Sequence, residues 1–312
     1  MADITAVTKQ FNDLPPHVKG LFQLGKNNTP FMKLAGLQNG AKTATSTKFE
    51  MSQVLDQYAG STNGLSEDSA VAGVSATTTQ RAVEYNAIQL FEEMADISKL
   101  RQSTTSGLTQ YTPSEGQSID PETLQIAQKL EKMYANITKS SLYGTYNEAT
   151  TSAEIWQMGG IIPQVTANGW SVDALAGTLD KTLMNTLFAT MFDGGADFSE
   201  NMYIFCSATK KQLLSSLYGV QDRSFTQGGV NVQEIYTDFG TIKVVADRMI
   251  ANDDILVANM NLVTPVFLPV DGQMIMVEEK ESAGASDKTM IYSQASVDFA
   301  TAKGHGVIRN LA

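Results

Sequence analysis

Between Asp120-Pro121 and Gly144, apolar residues return with the period of a helix. Leu124, Ala127, Leu130, Tyr134, Ile137 and Leu142 fall near one face. Asp120 is placed to cap the helix, Pro121 suits its first position, and Glu122 suits its positive N-terminal end. The spacing predicts about six turns, roughly 35 Å at 1.5 Å per residue. A second stripe, Leu175, Leu179, Leu183, Leu187 and Met191, predicts a helix that starts near a Ser171 cap and ends at Asp193-Gly194-Gly195.

Upstream the period shortens to two. Thr43–Leu55 and Thr77–Phe91 are rich in Thr and Val, alternate in part, and predict two strands. The run between them, Gly60 to Gly73 at its centre, is dominated by small polar residues, and such long loops are usually functional or mobile. A lone two-stranded hairpin is marginal in water, so this one is expected to need a partner surface. The residues before it mix Pro15-Pro16, Asn27-Asn28, Gly36 and Gly40 with scattered apolar positions. They predict an arm without its own core, with a short helix over Pro16–Leu24.

Downstream the pattern is mixed. Met202–Cys206 predicts a short buried strand, Ser207 a cap, and Ala208–Tyr218 a helix closed by Gly219. Val232–Tyr236 and Thr241–Ala246 flank Thr237-Asp238-Phe239-Gly240, a turn in which Asp and Gly adopt the required conformations cheaply. Ile255–Ala258, Gln273–Glu279 and Thr289–Ala300 are further strands. No repeat of fixed period is visible. The sum is an α+β chain.

Composition narrows the classes. Charged residues are 18% of the 312, against roughly 25% in a typical soluble protein, which suggests that other protein covers much of the surface. The net charge of −11 disfavours a general nucleic-acid or anionic-membrane binder. One cysteine rules out an intrachain disulfide framework and, with two histidines, a Cys/His zinc cage. The N-terminal residues lack the basic head and apolar run of a signal peptide, and prolines interrupt the longest uncharged stretch, Ile255 to Val270.

Candidate chemistry is thin. Gly20 to Lys26 matches the first seven positions of a phosphate-binding loop, but Asn27 stands where the magnesium-holding hydroxyl belongs and no strand precedes it. An apolar patch explains Leu21, Phe22 and Leu24 better. Cys206 lies in a strand that buries it, and neither His17 nor His305 comes with a third group to orient it as a base. Asp193, Asp197 and Glu200 fit no calcium loop, and the pairs Glu92-Glu93 and Glu278-Glu279 point to opposite sides of strands. Trp156 and Trp170 are explained by packing. No catalytic, cofactor or metal site is expected, and the chain is not read as an enzyme.

The order of elements resembles the Hong Kong 97-type major capsid protein of tailed bacteriophages. Several stretches are similar to that family: Arg81 to Phe91, Leu130 to Leu142, Met202 to Leu217, Tyr236 to Val245, and Ala302 to Ile308. Together they span most of residues 43 to 312. Phe49 to Asp56 departs from it in lacking a tryptophan, and no long charged helix precedes the arm, which implies a separate scaffolding protein. The resemblance implies a fold with an N-terminal arm (1–42), an extended loop (43–106), a peripheral domain with a spine helix (107–170 and 271–312) and an axial domain (171–270). It implies pentamers and hexamers that form an icosahedral head around double-stranded DNA, assembled in the host bacterial cytoplasm, without a membrane. Portal, scaffolding and decoration proteins are the implied partners. The expected contact residues of the extended loop are Val83, Tyr85, Ile88, Leu90, Phe91, Glu67 and Asp68. Leu124, Leu130, Tyr134 and Ile137 are expected to pack the spine helix, and Tyr236, Asp238, Phe239 and Gly240 to form the axial-domain hairpin. The alternatives are another virion structural protein, such as a decoration or tail subunit, and a hydrolytic surface protein.

Overall fold

The structure, a computed structural model, describes residues 29–52, 84–98, 121–151, 154–198, 201–218, 224–227, 230–280 and 286–312. The expected coreless arm ends in a core helix, α1 (Pro30–Asn39), whose Phe31, Leu34 and Ala35 are fully buried. Pro30 at its start forgoes an N–H that no helical carbonyl would have met. The cap residue Thr29 makes no side-chain bond to it. Instead the Phe31 N–H donates to the buried Asp247 carboxylate at 3.3 Å, a cap supplied from 216 residues away. The expected helix at Pro16–Leu24 and the glycine-rich segment Gly20 to Lys26 lie outside the described residues.

Next come short strands β1 (Lys42–Thr43), β2 (Lys48–Glu50) and β3 (Tyr85–Ala87), then the ten-residue β4 (Gln89–Ser98). Helix α2 (Pro121–Tyr143) matches the strongest sequence signal, and Gly144 ends it with an N–H donated to the Ser140 carbonyl. Met133, Ile137 and Leu142 are buried, with Ile126 and Leu130 packed beside them. Tyr134 is a correction, being 43% exposed. At 3.6 residues per turn it sits about 100° round from Met133, which takes the inward position. The side chain of Leu124 is outside the described residues.

Short helix α3 (Ile161–Ala167) leads to β5 (Ser171–Asp173) and then α4 (Lys181–Asp193). The expectation of a helix from Ser171 is overturned. The Ser171 segment pairs in parallel with a strand near the C-terminus, and the helix starts ten residues later, where Asp180 Oδ1 accepts the Leu183 N–H at 2.7 Å. Leu175, placed on the apolar stripe by spacing, has a left-handed φ of 50° and is 83% exposed. The remaining elements are β6 (Met202–Cys206), α5 (Ala208–Tyr218), β7 (Ser224–Gln227), β8 (Val230–Thr237), β9 (Gly240–Ala246), β10 (Ile255–Asn259), β11 (Thr264–Phe267), β12 (Ile275–Lys280), β13 (Ser286–Asp298) and β14 (His305–Arg309).

Two sheets organise these strands. In the five-stranded sheet, β13 pairs with β4 along one edge, and with β12 and β11 in turn along the other; β1 runs parallel beyond β11. Helix α2 lies against β4 and β13. The seven-stranded sheet has the order β5-β14-β10-β6-β9-β8-β7. Its centre is buried on both faces, so its strands read as unbroken apolar runs. Met202, Ile204 and Cys206 of β6 pack with α4 and α5, while Tyr203 and Phe205 face the core shared with α1, α2 and the first sheet. The sheets exchange strands across the boundary expected at 270. Thr264–Phe267 belongs to the first sheet and His305–Arg309 to the second, because strand pairing, not chain order, decides membership.

Candidate subunit-contact surface

The expected hairpin begins where β2 pairs with β3, Phe49 opposite Asn86. Residues 53–83, with Glu67, Asp68, Val83 and the loop tip, lie outside the described residues. One side chain holds the base in place. Asn86 is buried; its Nδ2 donates to the carbonyls of Gly159 (3.1 Å) and Val297 (2.9 Å), and its Oδ1 accepts the Gly159 N–H at 2.8 Å. The hairpin is thereby fastened to β13 and to the Gly159-Gly160 turn. Gly160 must be glycine there, since a Cβ would lie 2.6 Å from the Gly144 nitrogen and 2.7 Å from the Leu142 oxygen.

A second clasp is the buried Asp298. It accepts Lys42 Nζ at 2.8 Å, Ser52 Oγ at 2.6 Å, the Ser52 N–H at 3.1 Å and the Ala300 N–H at 2.9 Å. Burial alone would raise its pKa, but the Lys42 and Ser52 donors outweigh that and hold it below the ordinary carboxylate value.

Beyond the clasps, β4 alternates. Phe91, Glu93 and Ala95 face inward; Leu90, Glu92, Met94 and Asp96 face out. Ile88 packs with Ala44 and Val266, and Phe91 lies in the main core, so both are corrected from neighbour contacts to internal ones. For Phe91 the cause is the pairing of β4 with β13, which turns one face of the strand into core, whereas Ile88, just before β4, is covered by Ala44 and Val266. Tyr85 (51% exposed), Leu90 (51%) and Met94 (41%) remain on the surface. Under them Glu93 meets Lys132 at 2.6 Å, Lys129 at 3.5 Å and Asn136 Nδ2 at 3.2 Å; burial works to raise its pKa, and the lysines more than offset it. Glu92 is on the other side, so the adjacent glutamates do not act as a pair. Among the described residues no strand pairs the outer edge of β4, which leaves a row of N–H and C=O groups open.

The second surface is the β8–β9 hairpin, found as the sequence predicts with Asp238-Phe239 as its turn. Gly240 has a φ of 140°, and a Cβ would approach the Phe198 oxygen to 3.2 Å. Phe239 stacks among Phe188, Phe192 and Phe198 at centroid distances of 5.7–6.1 Å, while Tyr236, Asp238 and Phe192 are exposed.

The remaining candidates sit in structural roles. Cys206 is fully buried and burial pushes its thiol up to about 12. His305 is fully buried with Nε2 3.0 Å from the Phe299 carbonyl, and burial lowers its pKa to about 4. The neutral ring therefore donates through Nε2. Asp254 accepts Tyr143 Oη–H at 3.0 Å and Arg309 Nε at 3.3 Å, and Trp170 packs against the main core. Among the described residues no three His, Cys, Asp or Glu side chains gather into a metal site. His17 and Glu200 lie outside those residues. No described helix is long and apolar enough to cross a membrane. What the geometry presents is exposed apolar surface and an open strand edge. Sequence reading missed Asn86, Asp298, Met94 and Met133; the one available signal was an asparagine, disfavoured in strands, inside Tyr85-Asn86-Ala87-Ile88.

Comparison with known proteins places this arrangement. The family described as SU10 major capsid protein matches residues 3–312. No curated protein sequence matches. Among solved structures, a capsid chain of cyanophage A-1(L) superposes with a TM-score of 0.62 at 14% identity, covering 93% of this chain and 95% of that one. The capsid chain of a native GTA particle gives 0.58 at 13%, with all of both chains covered. The SrpI encapsulin complex of Synechococcus elongatus PCC 7942 gives 0.56 at 12%, covering 93% and 92%. At these identities the likeness establishes the fold, and it is the α+β fold of Hong Kong 97-type capsid proteins.

Proposed function

The chain belongs to the SU10 major capsid protein family, and from that premise we propose that it is the shell subunit of a tailed bacteriophage head, assembling as pentamers and hexamers around double-stranded DNA. The observation that carries this reading is a family match that leaves out only the first two residues. The surfaces support it. A shell subunit needs edges that other copies complete, and among the described residues β4 offers an edge that no strand pairs, flanked by exposed Tyr85, Leu90 and Met94. We assign Tyr85 and Leu90, with Val83, Glu67 and Asp68 of the extended loop, to contact with a neighbouring subunit. Tyr236 and Asp238 at the β8–β9 turn are assigned to contacts in the axial domain, the region built on the seven-stranded sheet. Portal, scaffolding and decoration proteins complete the proposed partner set, and assembly takes place in the host cytoplasm. The net charge of −11 suits a wall that should not grip DNA, since tight binding depends on cations neutralising phosphates. A hydrolytic role finds no support in the buried Cys206 or in the buried, hydrogen-bonded His305 and Asp254. Electron microscopy of the purified protein, with a scaffolding protein supplied, is expected to show closed icosahedral particles. Only compact monomers at high concentration would refute the reading.

A further inference from the structure

Residues 299–304 carry the chain from the end of β13, in the five-stranded sheet, to the start of β14, in the seven-stranded one. The crossing is dry: Asp298, Phe299, Ala300 and His305 are all buried. Ala300 holds a left-handed φ of 56°, a conformation that an L side chain disfavours. Such residues persist only where their surroundings over-determine them, and they mark candidate switch points.

Here the surroundings grip one peptide group at both ends. The Phe299 oxygen accepts His305 Nε2 at 3.0 Å, from the first residue of β14, and also the Thr301 N–H at 2.6 Å. The Ala300 N–H, on the other side of the same peptide, donates to Asp298 Oδ1 at 2.9 Å. That oxygen also accepts the Ser52 N–H at 3.1 Å, on the outgoing leg of the extended hairpin. The second carboxylate oxygen takes Ser52 Oγ and Lys42 Nζ. A peptide group is planar, with C=O and N–H pointing opposite ways, so neither end can turn without the other. Half a turn of the plane would bring Ala300 to a negative φ and relieve it. The same motion would set the Phe299 oxygen against the Asp298 carboxylate and the Ala300 N–H against the ring N–H of His305.

We propose that the Phe299–Ala300 peptide is a conformational relay between the seat of the extended hairpin on Asp298 and the junction of the two sheets at His305. In the state seen here both bonds hold and Ala300 is strained. In the other the plane has turned, Ala300 is relaxed, and Asp298 gives up Ser52 and Lys42. A shift of β14 against β13 thereby loosens the hairpin, and by linkage a pull on the hairpin acts on β14. The proposal concerns one subunit and does not depend on shell formation.

The test is amide hydrogen exchange of the full chain as dissociated subunits, resolved to Ser52 and Ala300. His305→Leu removes the donor to the Phe299 oxygen and should speed both amides together by roughly tenfold, the shift that one lost hydrogen bond produces. His305→Gln, whose Nε2 still donates, should stay within about twofold of the natural chain. The Ala44 N–H, bonded to the Phe267 carbonyl in the same region, should keep its rate in both. Ala300→Gly changes no hydrogen bond and lifts the penalty on the left-handed state, so it should slow Ser52 by roughly fivefold. It reads the relay even if His305→Leu does not fold. Faster exchange at Ala300 with Ser52 unchanged overturns the proposal, because the two ends then move independently. An equal rise at Ala44 overturns it as well, as general loosening, and so does faster exchange of Ser52 in Ala300→Gly.

Discussion

Asn86 is a single uncharged side chain on which three separate backbone groups of Gly159 and Val297 depend. Truncation leaves them buried and unpaired, and each such group costs about 1–3 kcal/mol. Asn86→Ala is therefore expected to destabilise the subunit by about 3 kcal/mol or more. Asn86→Asp, nearly isosteric, should do at least as much damage at neutral pH, because a carboxylate oxygen would face the two carbonyls that Nδ2 now serves. Urea unfolding of dissociated subunits measures both. His305 and Asp298 set the response to acid. The ordinary His305 value of 6.5 is depressed to about 4 by burial, so the unfolded chain takes up the proton first. Its contribution is complete above pH 6.5 and gone near pH 4, on the order of 3 kcal/mol across the window. Asp298, also depressed, contributes fully above its ordinary 3.8 and loses that below it. Asp247 acts in the opposite sense, since burial raises it. The His305 part is isolated by His305→Gln, which should flatten the fall in stability between pH 6.5 and 4.

At the scale of the element, β4 divides its labour between its two faces, and two adjacent residues separate them. Phe91 is 6% exposed in the main core, whereas Leu90 is 51% exposed on the outer face. Phe91→Ala should cost about 3–5 kcal/mol of subunit stability, the usual range for an emptied aromatic site. Leu90→Lys should leave stability within about 0.5 kcal/mol, as surface changes do. It should nonetheless cut particle yield, because the charge must be buried when a neighbour covers the strand. Thermal unfolding and particle counts in electron micrographs together give the answer. Normal assembly by Leu90→Lys would remove that face from the contact.

For the whole molecule, one core joins residues of both sheets, and the net charge bears on how copies approach one another. Each copy carries −11, and like charges repel until salt screens them. The screening length falls to about 8 Å at physiological ionic strength. Light scattering should therefore show assembly improving as salt rises from very low values. A steady weakening with salt would instead assign control to ion pairs formed across the contacts.

Local pattern was enough to determine α2, α5 and the β8–β9 hairpin, because capping residues, turn residues and side-chain period all act within a few positions of one another. The order of these elements also determined the family resemblance that the match over residues 3–312 bears out. Tertiary structure alone decided the rest. Ser171 reads as a cap but becomes a strand, because Val307, 136 residues on, offers it a backbone partner. Pro30–Asn39 reads as an arm but becomes core, because Asp247 caps it and Phe205 packs on Phe31 at 5.3 Å. Phe91 reads as a neighbour contact but turns inward when β13 pairs with β4, and Ile88 reads as one but is covered by Ala44 and Val266. In each case the deciding partner lies far away in the chain, where no period or propensity can register it.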